Sequence, residues 1–132
     1  MKIQMLAWRV LLLCLVMVSV AATRQDALDS VIGALKNGNS TQLAGRFQKE
    51  LTLTLPDQSS QLSKAQAQAA ISKFFSTHPV TGFELKHRGN APGGAFAIGT
   101  LLTEKGQFRV NVFMSPAGPK EGVRELRIQT MD

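Results

Sequence analysis

The spacing of apolar residues changes from a helical period to a strand period along the chain, and this change restricts the fold more than any other feature. In the segments 26–36 and 64–75, apolar side chains recur every three or four residues, as in helices packed on a core. Beyond His78-Pro79 they alternate with polar residues, as in strands with one buried face. Helices followed by a run of strands predict one α+β domain, with the helices packed on one face of a curved antiparallel sheet.

The helix boundaries follow from capping and turn residues. Asp26 is a predicted N-cap for the first helix, and Asn37-Gly38-Asn39 ends it. Ser40 is predicted to cap a short second helix that continues through Phe47, and Ser63 precedes a third helix rich in alanine and glutamine.

The predicted strands begin with the alternating segment 51–55, which ends at Pro56. Segment 57–61 is polar and is predicted to be a loop. Four longer strands follow, separated by turns rich in glycine and proline: 82–89, 95–104, 107–115 and 123–130.

The first 22 residues have the three parts of a signal peptide. Lys2 and Arg9 supply the positive charge of the N-terminal part, and the apolar run 10–18 that follows is too short to span a bilayer. The small residues in Val20-x-Ala22 suit a signal peptidase site. We expect cleavage after Ala22, which leaves 23–132 as a single domain without a transmembrane anchor, exported to the periplasm or secreted.

The composition of the expected mature domain excludes several chemistries. The only cysteine in the sequence, Cys14, is expected to be removed with the signal peptide. Thiol catalysis and cysteine-based zinc sites are therefore excluded for the mature domain. The net charge of +6 falls to +4 when Lys2 and Arg9 are removed, which favours anionic partners such as lipid headgroups, acidic glycans or acidic proteins. No metal or cofactor is expected, since the histidines and carboxylates do not cluster in the sequence. No nucleic-acid partner is expected either, because Phe113 is the only aromatic residue placed among the cations where a base could stack.

Two stretches carry a resemblance to known proteins: Ser63-Lys64-Ala65-Gln66-Ala67 through Phe74-Phe75, and Ala97-Ile98-Gly99-Thr100-Leu101 through Phe108-Arg109-Val110. With the element order, they resemble the nuclear transport factor 2-like cone fold and, within it, an uncharacterised Bacteroidetes domain-of-unknown-function family. The resemblance implies this fold, a secreted route and dimerisation through the sheet, and it supplies no catalytic residues. Ketosteroid isomerase, polyketide cyclases and scytalone dehydratase share the fold and use tyrosines, histidines or carboxylates, but this chain has no tyrosine.

Strand parity predicts a ligand pocket on the face toward the helices. Its expected members are Phe83, Leu85, His87, Phe108, Val110 and Val112. His87 is a weak candidate for a catalytic base, and the alternative is a core or strand-end histidine without a role. His78, next to Pro79, is interpreted as a loop residue.

The opposite parity predicts an interaction face. Its expected members are Lys86, Arg88, Arg109, Phe113 and Arg127. This face could dock an anionic partner or form a dimer around Phe113. The alternative is a solvated face with cross-strand pairs such as Glu125 with Arg109.

Three functional hypotheses remain open at this point. The first is an exported, non-catalytic module that binds a small apolar ligand or a cell-envelope protein. The second is a small isomerase, dehydratase or cyclase that uses His87 inside the cone. The third is a homodimeric scaffold without a pocket.

Overall fold

The first helix, α1 (Ala27–Asn37), begins and ends as its sequence predicts. The computed structural model describes residues 26–131, so the predicted signal peptide lies outside the described residues. The Asp26 side chain accepts a hydrogen bond of 3.2 Å from the backbone of Leu28. Gly38 ends the helix in the left-handed conformation (φ 62°), which glycine adopts without steric cost.

The second helix, α2 (Ser40–Ala44), is shorter than predicted, and its continuation through Phe47 is wrong. Phe47 instead begins strand β1 (Phe47–Leu55). The reason is long-range: the carbonyl of Arg46 accepts a hydrogen bond of 2.7 Å from Val123, and Phe47 pairs with the same residue. This pairing draws the segment into the sheet despite its helical spacing.

The predicted polar loop at 57–61 is wrong, because a second strand, β2 (Gln58–Ser63), follows β1 after a two-residue turn at Pro56-Asp57. This strand lies at the edge of the sheet and is exposed or half-buried throughout. Apart from Leu62 its side chains are polar, and they show no apolar alternation. Ser59, for example, forms a 2.8 Å hydrogen bond with Thr54.

The third helix, α3 (Lys64–Thr77), confirms the prediction and extends it by two residues. It begins with a capping box, in which the Ser63 hydroxyl accepts from the backbone of Gln66 at 3.2 Å. The Gln66 side chain in turn accepts from the backbone of Ser63 at 3.1 Å. The face of α3 that carries Ala67, Ile71 and the Phe74-Phe75 pair is buried.

The four long strands lie close to their predicted positions: β3 (Val80–Ala91), β4 (Gly94–Thr103), β5 (Gly106–Met114) and β6 (Val123–Thr130). The sheet is curved and open, in the order β2-β1-β6-β5-β4-β3. Its neighbouring strands are antiparallel except for β1 and β6, which run parallel. The α+β class is confirmed, and the one parallel pair makes the sheet mixed.

The core lies between the helices and one side of this sheet, which we call the inner face. Its central strands contribute Leu53, Val110, Leu126 and Ile128, each at most 1% exposed. Burying an aliphatic side chain of this size contributes about 1.5–3 kcal/mol, so these strands hold much of the stability. The other side, the outer face, carries no helix among residues 26–131, and in this range no helix is long and apolar enough to cross a membrane.

Candidate functional site

A β-bulge in β3 decides which side chains reach which face of the sheet. Leu85 pairs with Gly99 and His87 pairs with Ile98, so Lys86 has no partner of its own on β4. One extra residue in a strand shifts the alternation of all residues beyond it. The parity that held from Phe83 to Leu85 is therefore reversed from His87 onward.

The prediction that His87 points into the cone is wrong. His87 is exposed and lies on the outer face opposite Ile98, with its ring 5.4 Å from that of Phe96. A general base must lie within hydrogen-bond reach of the group that it deprotonates. His87 therefore cannot serve as a base for a ligand held between the helices and the sheet.

Arg88 is displaced in the opposite sense, and its predicted place on the interaction face is wrong. It lies opposite Ala97 on the inner side and binds two carboxylates at the start of α1, that of Asp29 at 2.6 Å and that of the N-cap Asp26 at 3.1 Å. The hydrogen bond to Asp29 is the largest cause of the raised pKa of the Arg88 guanidinium. Desolvation opposes it, and the charges of Asp29 and Asp26 add to the increase. Arg88 thus fastens the start of α1 to the edge strand β3.

The remaining members of the predicted pocket differ in how far they are buried in the described part of the chain. Phe83, Phe108, Val110 and Val112 are all buried in the core, while Leu85 is 39% exposed on the edge strand. Of the six predicted residues, Phe108 alone lines the cavity described next.

A cavity of about 370 Å³ lies instead at one end of the domain. It opens where the second half of α3, the β1–β2 turn, the start of β5 and the end of β6 meet. Its walls combine apolar and polar side chains: Leu55, Pro56, Asp57, Gln58, Ala70, Lys73, Phe74, Thr77, His78, Phe108 and Thr130. Four of these residues, Ala70, Lys73, Phe74 and Thr77, belong to α3, and His78 follows directly after it.

His78 is held rigidly in the wall of this cavity. Its ring stacks on Phe74, with centroids 4.3 Å apart, and meets the edge of Phe108 at 5.2 Å. Its backbone N–H donates to the Phe74 carbonyl at 2.8 Å and thereby caps α3. The interpretation of His78 as a loop residue did not predict its contact with the helix end. A histidine at the end of a helix, four residues after Phe74, could have indicated this contact.

The charges at the cavity are few and opposite. Lys73 is exposed on α3 and Asp57 is exposed in the turn, and neither forms an ion pair with another residue of the described range. In the same range no three histidine, cysteine or acidic residues come together as a metal site would require. The arrangement suits an uncharged ligand.

The outer face carries the rest of the predicted interaction face. The guanidinium groups of Arg124 and Arg127 lie 5.5 Å and 5.8 Å from the centre of the Phe113 ring. Glu125 pairs with Arg127 at 3.0 Å, so the predicted pair of Glu125 with Arg109 is wrong. Lys86 pairs with Glu84 at 3.1 Å, and Arg109 is exposed opposite Thr100.

Residues 28–129 match the domain of unknown function called DUF4783. The chain belongs to the DUF4783 family. It is similar to the DUF4783 protein of Bacteroides uniformis, with 35% identity, a TM-score of 0.74, and coverage of 79% of this chain and 96% of that one. It is also similar to the DUF4783 protein of Bacteroides ovatus, with 33% identity, a TM-score of 0.73, and coverage of 78% and 94%.

More distant structures show the fold alone. One of them, Rd1NTF2_04 with long sheet, is 16% identical with a TM-score of 0.62, over 77% of this chain and 95% of its own. The nuclear transport factor 2-like fold that the sequence resembles is thus confirmed, together with the family. A search of curated proteins finds no match.

Proposed function

We propose that this DUF4783 protein is a non-catalytic module that binds a small, mainly apolar ligand in the cavity beside His78. The observation that carries the proposal is the cavity itself, whose volume of about 370 Å³ falls within the range of small-molecule sites. Its apolar walls, among them Leu55, Phe74 and Phe108, can bury the body of a ligand, and its polar rim can orient one end.

The arrangement of titratable groups favours binding over catalysis. Acid–base chemistry needs a proton donor or acceptor that is free to exchange its proton with a substrate and is supported by a partner. His78 is the one histidine on the cavity wall, and its Nδ1 is occupied by the end of α3. An isomerase, dehydratase or cyclase based on His87 lacks support, since that ring lies on the other face of the sheet.

Filling the cavity provides a test with a matched control. Ala70 lines the cavity, whereas its neighbour Ala69 on α3 is exposed and does not. We expect the neutral dye N-phenyl-1-naphthylamine to fluoresce on binding the wild-type protein and Ala69→Phe, and to lose this signal with Ala70→Phe. Because residues 26–131 contain no tryptophan or tyrosine, the dye is observed without protein background. If the dye bound Ala69→Phe and Ala70→Phe equally, its binding site would lie outside this cavity.

Export is part of the proposal and is supported by the signal-peptide pattern of residues 1–22. Intact-mass measurement of the protein from fractionated cells should give an N-terminus at Thr23 in the periplasm or the medium. A cytoplasmic protein that begins at Met1 would refute it.

A second function, assembly with another copy of the chain, is favoured by the outer face. Phe96, Ile98 and Phe113 are only half-buried there, and the Oδ1 atom of Asn111 is buried without a hydrogen-bond partner. A half-apolar sheet face rimmed by arginines has the composition of a protein interface. Sedimentation should show a dimer that Phe113→Asp converts to a monomer, while a monomeric wild-type protein would rule out this scaffold.

A further inference from the structure

The hydrogen bonds around His78 determine which of its ring nitrogens carries the proton. The carbonyl oxygen of Phe74 lies 3.1 Å from His78 Nδ1 and can act only as an acceptor. Thr77 Oγ1 lies 2.9 Å from the same nitrogen. The carbonyl oxygens of Lys73 and Phe74 both lie 3.1 Å from this hydroxyl and can only accept its single hydrogen, so we assign the hydroxyl oxygen as an acceptor toward His78 as well. Two acceptors facing Nδ1 require the neutral ring to carry its hydrogen there.

The other nitrogen, Nε2, is consequently a hydrogen-bond acceptor in the neutral ring. Both hydrogen bonds that the ring makes to described residues use Nδ1 and leave Nε2 without a partner. Stacking on Phe74 and the edge contact with Phe108 restrict the ring against turning over. Because His78, Phe74 and Phe108 all line the cavity, its wall contains an acceptor nitrogen beside aromatic surface.

We propose that the ligand of this cavity is an uncharged alcohol or phenol, whose hydroxyl donates a hydrogen bond to His78 Nε2 while its apolar body rests against Phe74 and Phe108. This inference rests on the proposed binding function and names its ligand class. The rim supports an uncharged ligand, since Lys73 and Asp57 carry opposite charges and together favour neither sign.

Two naphthalene derivatives that differ in donor capacity provide the test. 2-Naphthol can donate to Nε2, whereas 2-methoxynaphthalene offers the same aromatic body and oxygen without a donor. At about pH 8, where a histidine ring is ordinarily neutral, we expect wild-type protein to bind 2-naphthol about tenfold more tightly than 2-methoxynaphthalene, as the loss of one hydrogen bond predicts. Their own fluorescence reports binding, because the described residues contribute neither tryptophan nor tyrosine emission.

Variants locate the preference at His78. His78→Phe keeps the stacked ring and removes the acceptor, so both compounds should bind it equally, whereas His87→Phe on the outer face should keep the tenfold ratio. Where His78→Phe fails to fold, His78→Asn replaces it, since the asparagine amide can still donate to the Phe74 carbonyl without reaching the position of Nε2.

The outcomes separate this inference from the function on which it rests. If neither compound binds the wild-type protein and the dye also fails, the cavity is not a ligand site and both proposals fall. If both compounds bind with equal affinity, or the preference survives in His78→Phe or His78→Asn, the cavity binds apolar ligands but His78 does not select a hydroxyl.

Discussion

Replacing Gly99 with alanine tests the packing of β3 against β4 next to the bulge. Gly99 pairs with Leu85, and a Cβ atom built on it would lie 2.5 Å from the backbone oxygen of Glu84 and overlap the ring of Phe83. Phe83 is 7% exposed, so its ring has no open space into which it can turn. The oxygen belongs to a paired strand and can yield only if the two strands separate. We therefore expect Gly99→Ala to destabilise the domain.

The size of the effect follows from two opposing contributions. Forcing a methyl group into a filled site costs about 1–3 kcal/mol. Alanine also restricts the unfolded chain, which returns about 0.4–1 kcal/mol where the native φ is not positive, and Gly99 is not among the glycines with positive φ. The net loss in the free energy of unfolding is about 1–2 kcal/mol, equivalent to a fall in Tm of about 5–15 °C for a domain of this size.

Gly33→Ala is the matched control, because a Cβ atom at this position in α1 meets no atom within 4 Å. Alanine is the better helix former, so this variant should gain about 0.5–1 kcal/mol. Thermal and urea unfolding followed by circular dichroism measure both changes. If Gly99→Ala proved as stable as Gly33→Ala, the close contact of β4 with Phe83 and Glu84 would be refuted.

The other predictions concern individual contacts and use the same unfolding measurements. Ser63→Ala should lower the free energy of unfolding by about 1 kcal/mol through loss of the capping box with Gln66, and an unchanged value would mean that the box does not stabilise α3. Val110→Ala should cost about 2 kcal/mol, since Val110 is fully buried and two methyl-sized groups are lost; a loss below about 0.5 kcal/mol would mean that the core collapses around it. Arg88→Gln should lower the free energy of unfolding by less than about 1 kcal/mol, and by less again in high salt, because the side chains that pair, Arg88 with Asp29 and Asp26, are each more than a third exposed. A larger loss that does not depend on salt would contradict a solvent-screened pair.

Much of the architecture could be predicted because the local signals agree with the final packing. Ser63 and Gln66 form the capping box that the third helix needs, and β5 alternates from Phe108 to Met114 with one face buried. The prediction failed where distant pairing decided the structure. Phe47 became a strand residue because Val123 lies beside it, and β2 was missed because an edge strand can be stable with polar side chains on both faces.

The candidate site could be predicted less well, and one extra residue explains most of the difference. The bulge at Lys86 exchanges the faces of His87 and Arg88, so strand parity assigned each of them to the wrong side. No residue in this part of β3 marks the bulge in the sequence. Gly99 on the partner strand, with the Phe83 ring packed over it, is the nearest hint, since glycine in a strand often accompanies a bulge or close contact.

The same geometry explains why the helix end, rather than the sheet, supplies the candidate site. Aliphatic and aromatic side chains fill the inner face, and the bulge turns His87 away from it. The end of a helix leaves backbone carbonyls without helical partners, and α3 ends at Thr77 near Phe108 of β5, with the Phe74 carbonyl facing the His78 ring. The contact of Nδ1 with the Phe74 carbonyl leaves Nε2 without a hydrogen-bond partner among the described residues. Capping the helix and presenting an acceptor to a ligand are therefore two consequences of one orientation of His78.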